Sequence, residues 1–136
     1  MEEKFVPKVV LALIEHQGQF VLIKRRVPSQ KLDWAFPGGV TEPHETEEES
    51  VVREARQEVG LEVVVKEKLL ERKHPNTLVN LVYFHCTPVD FEANLIIGEP
   101  DEISEVRWVK AENVLGKFTS DVHPLIRQFV LEHEKK

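Results

Sequence analysis

The sequence predicts an α/β fold in which a mixed β-sheet lies sandwiched between α-helices. Three observations point there: two dense β-branched runs flank a tight-turn sequence early in the chain, a capped helix in the middle is followed by further strand-like runs, and an amphipathic helix closes the chain. Strands on both sides of one helix, with a second helix at the end, suggest a sheet covered by helices.

The elements follow in order. Val9 to Ile14 and Gln19 to Lys24 are rich in valine, isoleucine and leucine, and His16-Gln17-Gly18 between them reads as a hairpin turn. The chain then turns polar and reaches Trp34-Ala35-Phe36-Pro37-Gly38-Gly39, where proline and two glycines interrupt regular structure. Thr46 to Val59 reads as a helix. Thr46 and Glu49 match a capping box, glutamates crowd the first turn, Val52, Ala55 and Val59 share a face, and Gly60 stands where a helix-ending glycine belongs. Leu61 to Val65, Thr77 to Cys86 and Ile103 to Val109 read as strands. Asp121 to Glu134 reads as the closing helix, with Val122, Leu125, Ile126, Phe129 and Val130 spaced to pack one face. There is no repeat, low-complexity tract or linker, so residues 1–136 are expected to form one domain.

Composition narrows the function. Of 136 residues, 41% are hydrophobic and 31% charged, the balance of a folded soluble protein. Lysine and arginine total 18 against 24 acidic residues, a net charge of -6. That balance disfavours a nucleic-acid polymer as partner and suits a protein that collects cations. Cys86 is the sole cysteine, which excludes an internal disulfide and leaves a small buried residue. Met1-Glu2-Glu3-Lys4 leads into only a short apolar run, neither a signal peptide nor a membrane span, so the expected location is the cytoplasm. The six histidines show no metal-site spacing, and His85 and Cys86, adjacent in a strand, face opposite ways. Trp108 is expected in the core.

The helix at 46–59 carries the chemistry. Glu54 and Glu58 are four residues apart and stack on one face, with Glu45 just before the first turn. Carboxylates held together repel and gain proton affinity unless a cation sits among them. Magnesium resolves that conflict, because it takes oxygen ligands and binds substrate phosphates. Glu47, Glu48 and Glu49 read instead as a solvated face.

At these residues the chain resembles the Nudix hydrolase (MutT-like) family. Its signature is a glycine, five residues, a glutamate, seven residues, then Arg-Glu-aliphatic-x-Glu-Glu-x-Gly-aliphatic. Here Gly39 is followed after five residues by Glu45, and seven residues later by Arg53-Glu54-Ala55-Arg56-Gln57-Glu58-Val59-Gly60-Leu61. One position departs, since Gln57 stands where the family has glutamate; it keeps a carbonyl oxygen but no charge.

The resemblance implies a Nudix fold, a Mg2+ cofactor (with Mn2+ as a substitute) and hydrolysis of a phosphoanhydride bond in a small nucleotide-type substrate. Candidates are nucleoside triphosphates, oxidised nucleotides, sugar nucleotides, ADP-ribose and dinucleoside polyphosphates. It makes Glu54 and Glu58 metal ligands, with Glu54 alternatively the base that activates water. Gly39 offers its carbonyl to the metal, Gln57 is a weak ligand, and Arg53 organises the site by pairing with a carboxylate such as Glu45. An extra base or ligand from a loop outside the signature falls to Glu102, or failing that Glu105. Lys24, Arg25 and Arg26 could stabilise the leaving phosphate, and Trp34 either stacks on a base or anchors its loop. The competing function is a nucleotide-binding module whose catalysis is weakened by Gln57. A homodimer is compatible with such a fold.

Overall fold

The computed structural model describes residues 4–29, 32–119 and 121–134; Met1 to Glu3, on which the reading of the chain start partly rests, lie outside the described residues. The hairpin forms as β1 (Val9–His16) and β2 (Gln19–Ser29). Gln17 and Gly18 both take positive φ, at 48° and 79°, the backbone that two-residue hairpins require. β3 (Leu32–Ala35) and β4 (Gly38–Val40) follow, so the segment read as irregular contributes two short strands. Then come α1 (Glu47–Val59), β5 (Val63–Lys73), β6 (Asn80–Pro88), β7 (Ile103–Lys110), α2 (Ala111–Lys117) and α3 (Pro124–Glu132).

Seven strands build one mixed sheet along the path β3-β2-β1-β6-β5, with β4 paired to β1 and β7 to β2. β1 and β6 run parallel and the other pairings are antiparallel. The strand period of two sorts side chains between the faces. Val10, Ala12 and Ile14 of β1 join Val82, Phe84 and Cys86 of β6 in a core closed by Val51, Ala55 and Val59 of α1. Leu13 and Tyr83 belong to a second core, closed by Val114 of α2 and by Ile126 and Val130 of α3. The expected sandwich of a mixed sheet between helices is therefore present. Burial raises the Cys86 thiol to about 12, which leaves it no nucleophile at neutral pH. No helix among the described residues is long and apolar enough to cross a membrane.

Several boundaries differ from the sequence reading. β5 runs eight residues beyond Val65, through Lys66, Glu67 and Lys68, because an edge strand keeps polar side chains in water while its backbone pairs on one side. The closing helix begins at Pro124 rather than Asp121: the His123 side chain accepts the N–H of Leu125, and proline suits a first turn. α2 was not expected; it is short and has no side-chain cap at Lys110.

α1 is terminated as its sequence dictates. Thr46 Oγ1 accepts from Glu49 N at 3.0 Å, and Glu49 Oε1 accepts from Thr46 N at 2.8 Å. Thr46→Ala removes half of this reciprocal pair and should cost about 1 kcal/mol, read as a fall of about 3 °C in Tm by calorimetry. An unchanged Tm would mean that α1 is held by packing alone.

Candidate active site

α1 lays Glu54 and Glu58 against the backbone of β4. Gly38 N donates to Glu58 Oε1 at 2.6 Å. At Gly39 a Cβ would lie 2.4 Å from Glu54 Cδ, so only glycine lets the strand come this close to the carboxylate. Both glutamates are buried, Glu54 with 9% and Glu58 with 7% of its surface exposed.

Arg53 ties the helix to the loop before it. Its Nε donates to both oxygens of Glu45, at 3.0 and 2.8 Å, and its Nη1 reaches Glu54 Oε1 at 2.8 Å. Nη1 also reaches Gln57 Oε1 at 3.1 Å, and Nη2 donates to the Val40 carbonyl at 3.1 Å. This guanidinium, helped by the Ser50 hydroxyl at 2.8 Å, holds Glu45 below the ordinary carboxylate range.

A third carboxylate arrives from the other side. Ile96 N donates to the Val59 carbonyl and Gly98 N to the Glu58 carbonyl, capping the end of α1 with the loop before β7. A Cβ at Gly98 would fall 1.6 Å from the Gln57 carbonyl oxygen, so glycine is needed for this contact. The next residue is Glu99. One carboxylate oxygen each from Glu54, Glu58 and Glu99 lies within 4.8 Å of the others. Burial pushes Glu58 up to about 8, opposed by the Gly38 N–H and reinforced by the charges of Glu54 and Glu99. Glu54 is also raised by burial, against the pull of Arg53. Glu54 and Glu58, buried and raised in proton affinity, with the Glu99 carboxylate beside them, are an arrangement that a cation would stabilise.

The NUDIX domain family profile matches residues 4–129. The chain belongs to the Nudix hydrolase family. It is 32% identical to a CTP pyrophosphohydrolase of Escherichia coli (strain K12), over 79% of this chain and 78% of that protein. It is also 32% identical to an ADP-ribose pyrophosphatase of Methanocaldococcus jannaschii, over 87% of this chain and 69% of that protein. A crystal structure of a NUDIX hydrolase from Nitrosomonas europaea shares the fold, with a TM-score of 0.80 over 96% of this chain and 73% of that one, at 20% identity. The chain is thus a Nudix-type pyrophosphohydrolase, of a family that works with divalent metal.

Within this Nudix frame the expected residues separate. Gly39, Glu54 and Glu58 line a cleft of about 880 Å³ together with Arg25, Trp34, Glu99 and Glu102. Glu102 shares a turn with Glu99, its N–H donating to the Glu99 carbonyl, but Glu99 is the member within reach of the helix carboxylates. The sequence could not rank the two, because the contact that selects Glu99 is backbone packing at Gly98. Gln57 is exposed, and its Oε1 accepts from Arg53 Nη1, the same nitrogen that reaches Glu54 Oε1. Arg26 does not line the cleft. Alternation along β2 turns it away from Arg25, and its Nε donates to the Pro100 carbonyl at 2.8 Å. Glu105 pairs with Arg107 at 2.7 Å. Trp34 lines the cleft with Lys117 Nζ 5.0 Å from its ring centre.

Without a cation the raised Glu58 gives stability a definite pH dependence. The folded chain holds a proton that the unfolded chain releases near 4.5, so this contribution is complete below pH 4.5 and is lost as pH rises through about 8. Chelator-treated protein should therefore lose Tm over that interval, and Glu58→Gln should flatten the decline. A decline of equal size in the variant would remove Glu58 as its source. Gly98→Ala tests the placement of Glu99 and should weaken Mg2+ binding by about tenfold or more, measured by calorimetric titration.

Proposed function

We propose that this chain is a magnesium-dependent hydrolase of the phosphoanhydride bond in a small nucleoside diphosphate-linked molecule, such as a nucleoside triphosphate, ADP-ribose or a sugar nucleotide. The observation that carries the reading is the convergence of Glu54, Glu58 and Glu99 in a cleft that is also lined by arginines and aromatic rings. The donor set is all oxygen, which suits Mg2+ and also Mn2+. The three carboxylate oxygens lie close enough together for one ion to bridge them.

Glu58 and Glu99 would hold the ion, with the Gly39 carbonyl beside them. Bound magnesium supplies positive charge to phosphate oxygens and acidifies a water. Glu54 has one oxygen engaged by Arg53, which leaves the other to accept the proton of an attacking water. Arg53 keeps that carboxylate oriented and ionisable through its bonds to Glu45 and Val40. Arg25 supplies the charge that stabilises a leaving phosphate. Arg72 also lines the cleft, and its buried Nε has no hydrogen-bond partner among the described residues, a donor suited to a further phosphate oxygen. Phe36, Tyr83 and Trp34 offer aromatic surface for a base. The departure at Gln57 leaves all three clustered carboxylates in place, which favours an active enzyme over a weakened binding module. The net charge of -6 favours a small nucleotide over a nucleic-acid polymer.

Release of phosphate or pyrophosphate should be assayed on CTP, other nucleoside triphosphates, ADP-ribose, sugar nucleotides and dinucleoside polyphosphates. One class should be turned over with Mg2+, activity should vanish with chelator, and Glu58→Gln should lower kcat/KM by roughly 10²-fold or more. Turnover that survives both chelation and the variant would sink the reading.

A further inference from the structure

On the sheet face opposite α1, three side chains distant in sequence come together. Glu15 is the penultimate residue of β1, His85 lies on the neighbouring β6, and His133 follows α3. One ligand atom of each lies within 4.8 Å of the other two. His85 Nε2 is 3.5 Å and His133 Nε2 is 3.7 Å from Glu15 Oε1. Glu15 and His133 are each 6% exposed.

These contacts are not an ordinary hydrogen-bonded triad. His85 Nε2 is buried and has no hydrogen-bond partner among the described residues. His133 Nδ1 lies 2.7 Å from the Phe129 carbonyl and donates to it, which leaves Nε2 as the ring nitrogen turned to Glu15. Glu15 Oε2 is occupied by the N–H of Gly18 at 3.0 Å, so Oε1 is the oxygen turned to the histidines.

We propose that Glu15, His85 and His133 form a second metal site, for a divalent transition metal of the zinc class, with solvent in the fourth position. A tetrahedral ion with bonds of about 2.0–2.2 Å keeps its ligand atoms about 3.3–3.6 Å apart, which matches the 3.5 and 3.7 Å separations better than a hydrogen bond does. Two imidazoles and one carboxylate are a zinc ligand set. The His133–Phe129 bond is the backbone contact that fixes a ligating ring's tautomer and orientation. The rings of Phe20 and Phe129, 5.6 and 4.6 Å from that of His133, supply an apolar surround. His85 is partly exposed, which gives the ion a route in. The donor set differs from the all-oxygen cluster at α1, so the two sites select different cations. Metal here would pin the end of α3 to β1 and β6.

The test is Co2+ titration of the metal-stripped full chain, followed by visible absorption, with Zn2+ in parallel thermal melts. The proposal expects one equivalent with the intense bands of tetrahedral cobalt, displaced by Zn2+. These bands should persist in Glu58→Gln and disappear in His85→Asn and Glu15→Gln. Zinc at about 100-fold over its Kd should raise Tm by roughly 5–10 °C in the parent and in Glu58→Gln, and not in His85→Asn. Weak octahedral bands alone in the parent chain would overturn it, whatever the variants do. So would tetrahedral bands that survive in folded His85→Asn.

Discussion

The close approach of the Gly38-Gly39 backbone to α1 is the constraint on which the site depends. β4 has room for no side chain at either position. A Cβ at Gly38 would sit 2.1 Å from the Val10 carbonyl oxygen, and one at Gly39 would sit 2.4 Å from the Glu54 carboxyl carbon. The strand is thus wedged between β1 and the helix, and it brings a backbone N–H to Glu58 that a bulkier sequence would hold away. Packing of Val51, Ala55 and Val59 into the core fixes the rotation of α1, which commits Glu54 and Glu58 to the same crowded side.

Crowding has an electrostatic consequence. Arg53 is the cation that the helix itself supplies, and its guanidinium is shared among Glu45, Glu54, Gln57 and Val40. Glu58 has a single backbone donor and two carboxylate neighbours, with the charge of Arg25 opposing them. Buried acids arranged this way stabilise nothing by themselves, since desolvation outweighs one hydrogen bond. Their placement makes sense as an arrangement for binding a cation, with local stability sacrificed for function.

What the sequence disclosed, and what it did not, follows from the range of each interaction. α1 was legible because its capping box, its terminal glycine and its carboxylate spacing are all written within one short segment. The hairpin was legible for the same reason. Glu99 was not, because its position is set by Gly98 packing on the Gln57 carbonyl, across some forty residues of chain. Arg25 and Arg26 could not be told apart, since strand alternation separates neighbours only once the facing side of β2 is known. The histidines gave no local spacing at all, yet parallel pairing of β1 with β6 and docking of α3 place His85 and His133 beside Glu15. β5 ran long because edge pairing continues where hydrophobic alternation stops.

The cleft itself is a product of topology. One edge of β1 is shared: β4 pairs with Val9 to Leu11, and β2 pairs with Glu15 and His16. Between them Ala12 donates to the Pro37 carbonyl, so the chain crosses from one partner to the other through Phe36 and Pro37. Strands that part around such a crossing cannot close their side chains over one another. Leu11 of β1, Ile23 of β2, Ala35 of β3 and Val40 of β4 accordingly line the opening. The opening lies beside the glycines that admit Glu54 and Glu58. The cleft and the carboxylate cluster are therefore two results of one backbone arrangement: the glycine strand that makes room for the acids also displaces β2 from the middle of β1.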